Sequence, residues 1–199
     1  MNTSLLSISA ISLLSTSVAA VDLDNSTSID ITRVWAQQPG GWTYPMSISV
    51  PEGPVPPGGF TTCILLHGNG GQGPSTVQDF RSLLDCHILV APTGFANSWN
   101  ICSEASDAPD VSMVDELIAR LQQFDNVNGD RIQIVGVSNG SALANQVLIE
   151  NDNPGLTDIV GCVSPLSHSQ HREGLFWRPA GATNPSLVQC GYTTPNQPG

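Results

Sequence analysis

The sequence contains no lysine. Its six basic residues are all arginine, against seventeen acids, for a net charge of −11. A surface of that sign repels phosphate backbones and anionic lipid, so nucleic acid and membrane are excluded as partner classes. Long hydrophobic runs are missing too: the most apolar stretch, at the start, is short and broken by serines, unlike a membrane span. No two cysteines form a C-x-x-C pair, so the spacing of a structural zinc site is lacking and no metal is expected. What remains is a chain suited to a neutral or weakly charged small molecule or polymer.

Residues 1–20, "MNTSLLSISAISLLSTSVAA", are small and apolar and hold no acid. The "VAA" before Val21 places small residues where a signal peptidase cuts, although no basic residue occurs before Arg33. A secretory leader over 1–20 and one extracellular domain over 21–199 are the expected organisation. In an oxidising compartment, five cysteines (Cys63, Cys86, Cys102, Cys162 and Cys190) predict disulfides with one thiol left over. Asn25 stands in an N-S-T acceptor sequence for a glycan; Asn139 formally matches N-G-S, but lies in a tight turn.

Along the chain, strand and helix patterns alternate. "MSISV" (46–50) alternates as a strand, and the Pro- and Gly-rich "PEGPVPPGGF" connects it to "TTCILL" (61–66), a short buried-strand run. "STVQDFRSLL" (75–84) has helical spacing, with Val77, Phe80, Leu83 and Leu84 on one side. "CHILVAP" (86–92) is again strand-like. "DVSMVDELIARLQQF" (110–124) carries a stripe of Val111, Val114, Leu117, Ile118 and Leu121, with Asp110 as its expected N-cap. "RIQIVGV" follows as a strand, then a helix over about 141–150 stopped by "NDNPG", then "DIVGCVSPL" (158–166) as a further strand. Strands separated by helices predict an α/β fold with a mainly parallel sheet covered on both faces. After Leu166 the rhythm stops, and only "SLVQC" suggests a short strand.

The chemistry concentrates at "RIQIVGVSNGSALANQ" (131–146), where Gly136-Val137-Ser138-Asn139-Gly140 joins a strand to a helix. G-x-S-x-G alone arises by chance in roughly one chain in five of this composition, so its context carries the argument. At the carboxyl end of a parallel strand, such a turn strains its central residue and lifts the hydroxyl clear. Ser138 is therefore the candidate nucleophile, with the Asn139 N–H directed at a developing oxyanion. The bland alternative is a glycine-flanked turn. "LLHGNGGQG" (65–73) puts His-Gly-x-Gly-Gly at the end of an earlier strand, where the backbone N–H of Asn69 can supply the second oxyanion donor. His67 precedes the nucleophile by a whole sheet segment and is read as structural. Gly68, Gly70 and Gly73 also satisfy G-x-G-x-x-G, but the acid that a dinucleotide ribose needs is missing from "LVAPTGFANSW", so no cofactor is expected.

"LLHGNGG", "APTGFANSWN", "DVSMVDELIARL" and "DRIQIVGVSNGSALA", in that order, resemble secreted feruloyl esterases and polyhydroxybutyrate depolymerases, α/β-hydrolases related to acetylxylan esterases. The resemblance covers roughly 44–166. It implies an α/β-hydrolase-type fold and ester hydrolysis through an acyl-enzyme on Ser138, with Asn69 and Asn139 binding the oxyanion. Trp99 would wall the acyl pocket or serve as a buried structural residue. The substrate implied is an ester-bearing plant cell-wall polysaccharide or a polyester.

In that fold the nucleophile is followed by an acid and then a histidine on later turns. Downstream of Ser138 the histidines are His168 and His171, and the acids are Glu150, Asp152, Asp158 and Glu173. None stands where the resemblance places a triad partner. Three readings stay open: a C-terminally incomplete copy of an esterase, a secreted relative that binds a polysaccharide or ester without hydrolysing it, or a chain in which His171, perhaps with Glu173, substitutes as base. Disulfide pairing and oligomeric state are left open by the sequence.

Overall fold

The computed structural model describes residues 21–101 and 105–162. The expected leader, Cys102, Cys190, His168, His171, Glu173 and the end of the 158–166 strand lie outside them. Seven strands and three α-helices are present among the described residues: β1 (Thr32–Trp35), β2 (Gln38–Thr43), β3 (Met46–Ser49), β4 (Phe60–Leu66), α1 (Gly73–Arg81), β5 (Ile88–Pro92), α2 (Asp110–Leu121), β6 (Val127–Val137), α3 (Asn139–Glu150) and β7 (Leu156–Cys162). Five strands form one sheet in the order β3-β5-β4-β6-β7. β3 runs antiparallel to β5, whereas β5, β4, β6 and β7 are mutually parallel. The α/β sheet predicted from the alternation of patterns is therefore present, with helices on both faces.

The strand sequences show why. β4 is apolar on both sides: Ile64 and Leu66 join the larger core, with Leu117, Ile118 and Leu121 of α2 and Leu143 and Val147 of α3. Cys63 and Leu65 point the other way, into a smaller core closed by Val77 and Phe80 of α1. A strand buried on both faces reads as a continuous hydrophobic run, not an alternating one. The register pairs Ile64 with Val90 of β5 and Ile134 of β6, so the three central strands end together.

Several boundaries differ from those expected. α1 stops at Arg81 and leaves Leu83 exposed, because the chain turns there into the Asp85–Cys86 bend towards β5. α3 begins at Asn139, two residues earlier than predicted, directly off the strand. Asp110 is the first helical residue of α2, and Pro109 occupies the cap position. Instead of capping, the Asp110 carboxylate turns inward and accepts hydrogen bonds from the Tyr44 hydroxyl (2.8 Å) and the Asn100 N–H (2.7 Å). Cys63, Cys86 and Cys162 are free, so no disulfide joins any two of these three.

The β1–β2 hairpin was not anticipated, since "TRVW" and the Gly-rich "QPGGWT" are too short and polar to register as strands. It is held from outside. Arg33 reaches α2, donating to Ser112 Oγ (2.9 Å) and pairing with Glu116 (2.7 Å). Trp35 and Trp42 both meet Phe95 edge-on, with ring centroids 5.3 and 5.4 Å apart. The segment before the hairpin is buried through Leu23, Ile29 and Ile31. Its tether is Asn126, whose carboxamide accepts from the Leu23 N–H and donates to the Leu23 carbonyl, both at 2.8 Å.

Asn126→Ala is expected to cost about 2–4 kcal/mol, because it strands a buried backbone donor and acceptor together. Urea unfolding of the wild type and the variant checks this; a difference below about 0.5 kcal/mol would show that the segment is not tethered through Asn126.

Candidate active site

The carboxyl ends of β4, β5 and β6 lie side by side, and the turn after each contributes to one place. β6 passes directly into α3 at Ser138, whose φ of +52° and ψ of −115° no serine adopts without strain. Such a conformation costs about 1–3 kcal/mol and persists only where its surroundings enforce it. The enforcement is steric. A Cβ on Gly136 would collide with the backbone of Gly140 and Ser141, and a Cβ on Gly140 with the carbonyl oxygens of Leu66 and His67. Glycine at both positions lets α3 start against the ends of β4 and β6. Hydrogen bonds complete the turn: the Ser138 N–H donates to the Cys162 carbonyl (2.8 Å), and the Ser141 hydroxyl sits between the Gly136 and Cys162 carbonyls (2.6 and 2.7 Å). Ser138 itself is exposed.

Gly68, in the turn after β4, lies against Ser138; a Cβ there would be 3.5 Å from the serine Cβ. Asn69 follows and is exposed. Neither the Asn69 N–H nor the Asn139 N–H, the two donors expected to face an oxyanion, has an acceptor among the described residues. Asn139 adds something the pentapeptide did not signal. Its side chain is buried and spans to the turn after β5, where Oδ1 accepts from the Trp99 N–H (2.8 Å) and Nδ2 donates to the Trp99 carbonyl (3.3 Å).

Trp99 is fully buried, its indole N–H donating to the His67 carbonyl (2.8 Å) and its ring lying 4.6 Å from the imidazole. Of the two roles considered for it, this is the geometry of a structural residue. His67 uses both ring nitrogens: Nδ1 meets the Gly68 carbonyl (2.7 Å), and Nε2 accepts from the Gly94 N–H (3.0 Å). That pairing requires the neutral tautomer protonated on Nδ1, and burial holds the imidazole pKa below its ordinary value. With both nitrogens committed, His67 has none left to take a proton from Ser138. Ala96 and Asn97, both at φ +54°, shape the third turn so that the Asn97 carbonyl accepts from the Gly70 N–H (2.7 Å).

A cleft of about 340 Å³ lies elsewhere, between the start of α2 and the far end of α3, lined in part by Asn100, Asp110, Asp115 and Glu150. It does not include Ser138 or Asn69. Among the described residues no cluster of His, Cys, Asp and Glu has the arrangement of a metal site.

No protein-family model matches the chain, and no curated protein matches it. Solved structures similar to it include a phospholipase/carboxylesterase from Dyadobacter fermentans DSM 18053, 21% identical over 62% of this chain and 64% of that one, with a TM-score of 0.46. A thermostable esterase is 18% identical over 62% of this chain and 37% of that one, at 0.47. LpqC, a poly(3-hydroxybutyrate) depolymerase from Bordetella parapertussis, is 15% identical over 59% and 45%, also at 0.47. The chain thus spans less than two thirds of the length of each. At these values the likeness carries no argument of its own; the mainly parallel α/β sheet and the strand-to-helix turn at Ser138 are read from the chain itself.

Burial raises the Asp110 carboxyl from its ordinary 3.8 to about 7, against the opposing hydrogen bonds from Asn100 and Tyr44. The folded chain then keeps a proton that the unfolded chain releases, so this group's contribution to stability is complete below pH 3.8 and lost as pH rises through about 7. The wild type is expected to lose stability relative to Asp110→Asn across that window and to run parallel to it above. Denaturant unfolding at a series of pH values measures the difference; a constant difference would mean that Asp110 titrates in the folded protein as it does in the unfolded chain.

Proposed function

We propose that the chain is a carboxylic-ester hydrolase whose nucleophile is Ser138. The observation that carries the reading is the strained, exposed serine at φ +52° between two obligatory glycines, with the N–H groups of Asn69 and Asn139 on the adjoining turns and no acceptor for either among the described residues. The names of the similar structures, an esterase, a carboxylesterase and a polyester depolymerase, agree with it. In this reading Ser138 Oγ attacks the ester carbonyl and its proton passes to a base. The two N–H groups hold the carbonyl oxygen as it becomes anionic, a contribution of about 10²–10³ in rate per donor. The bond to the alcohol then breaks, the alcohol leaves with the proton, and water releases the acid from the acyl-serine. The site is proposed to act outside the cell on feruloyl or acetyl esters of plant cell-wall polysaccharide or on a polyester, consistent with a strongly acidic chain that repels anionic polymers.

A second reading has its own observation. Among the described residues the histidines are His67 and His87; the first is committed at both nitrogens, and the second lies at the opposite end of β5 from the turns that form the site. His171, the substitute base expected from the sequence, lies outside the described residues. A chain without a base would bind an ester-bearing polymer and hydrolyse it only weakly, since oxyanion stabilisation and binding alone retain roughly 10³–10⁴ over water.

Treatment of the full chain with a fluorophosphonate decides between them. The esterase reading expects stoichiometric labelling of the wild type, none of Ser138→Ala, and release of ferulate, acetate or hydroxybutyrate from the matching ester. Saturable binding of acetylated xylan with no labelling would overturn it in favour of the binder.

A further inference from the structure

We infer that the side chain of Asn139, as distinct from its backbone N–H, is the positioning group that sets the spacing of the two oxyanion donors. The inference rests on the proposed role of Ser138 and deepens it. The donors belong to different turns: Asn139 N–H opens α3, whereas Asn69 N–H rides on the loop after β4. Backbone packing of Gly140 against Leu66 and His67 fixes only the base of that loop. Its tip is held from the third turn, residues 93–99.

The connection can be followed bond by bond. The Asn139 carboxamide grips the backbone of Trp99 through both its atoms, at 2.8 and 3.3 Å. From Trp99 the indole N–H reaches the carbonyl of His67, before Asn69, at 2.8 Å. Two residues earlier, the Asn97 carbonyl takes the N–H of Gly70, immediately after Asn69, at 2.7 Å. The third turn therefore holds Asn69 from both flanks, and the Asn139 side chain holds the third turn. Asn139 accordingly places one donor with its backbone and the other through its side chain. Ala96 and Asn97, both left-handed at φ +54°, keep the turn in a shape that relaxes once the grip is released. An apolar side chain of the same size at 139 would fill the space and leave both Trp99 groups unpaired.

Hydrogen exchange of the full chain, resolved to residues 67–73 and 94–99, tests this together with fluorophosphonate labelling kinetics and ester turnover. In Asn139→Leu the Gly70 and Trp99 amides should exchange at least tenfold faster while β4 and β6 keep their protection. Labelling should still reach completion but about 10²-fold more slowly, and kcat should fall by the same factor with KM within twofold, as expected when a donor moves by about 1 Å. Asn139→Asp keeps the 2.8 Å acceptor and should show a smaller rise in exchange at the same amides, which preserves the comparison if the leucine variant does not fold. Unchanged Gly70 exchange in both variants would overturn the inference, and so would a uniform loss of protection throughout the sheet, the mark of a merely structural residue. A wild type that takes no fluorophosphonate would instead defeat the nucleophile reading, while the exchange data still decide whether Asn139 holds the loop.

Discussion

A single residue, Ser138, separates the end of β6 from the start of α3, and the rim of this molecule depends on that constraint. A strand and a helix joined through a single residue bring two backbones into contact, which is why Gly136 and Gly140 have no room for a Cβ. The same closeness twists Ser138 into a left-handed conformation, and the Asn139 N–H that opens α3 has no acceptor among the described residues. Helix N-termini carry unsatisfied donors and partial positive charge by construction. Here both are placed beside a hydroxyl that the strain has pushed outward. The strained, exposed serine on which the proposed function rests is thus a by-product of close packing, supplied by the fold before any substrate is considered.

The sequence disclosed this rim unevenly, for identifiable reasons. The pentapeptide was legible because backbone collisions leave glycine as the sole solution at 136 and 140, and glycine spacing is visible in one dimension. The His-Gly-x-Gly-Gly turn was legible from its place at the end of a buried strand, with Gly70 at a positive φ. The parallel sheet was legible because strands buried on both faces form unbroken apolar runs, as "TTCILL" does. The hairpin at 32–43 was not, because Arg33, Trp35 and Trp42 are held by α2 and Phe95 and not by a local pattern. The side-chain role of Asn139 was hidden for the same reason: its partner lies forty positions away, and the motif records only that the position tolerates a small polar residue. Asp110 looked like a helix cap because capping is the commonest use of aspartate at that place. A buried tyrosine hydroxyl and an Asn100 N–H drew its carboxylate inward instead.

Two histidine and aspartate positions illustrate how burial redirects chemistry. His67 stands beside the proposed nucleophile, yet two backbone partners and a tryptophan face turn it into a scaffold part. Asp110 carries a strongly raised pKa, a property that often marks catalytic groups, yet it is buried and holds the Tyr44 hydroxyl and the Asn100 backbone in place. In each case the hydrogen-bond partners, and not the residue type or its titration, identify the role.

The tether between Leu23 and Asn126 has a consequence for the order in which the molecule assembles. It joins positions 103 residues apart, among the longest loops the described chain closes. Contacts of such separation form late, because the entropy of closing the loop is recovered only after the intervening elements have condensed. During synthesis the residues around Leu23 emerge before their partner, and find their buried seat only after β4, α1, β5 and α2 have been made. A segment made before its partners is consequently among the last to settle, and the apolar side chains of Leu23, Ile29 and Ile31 stay open to chaperones until the sheet is built.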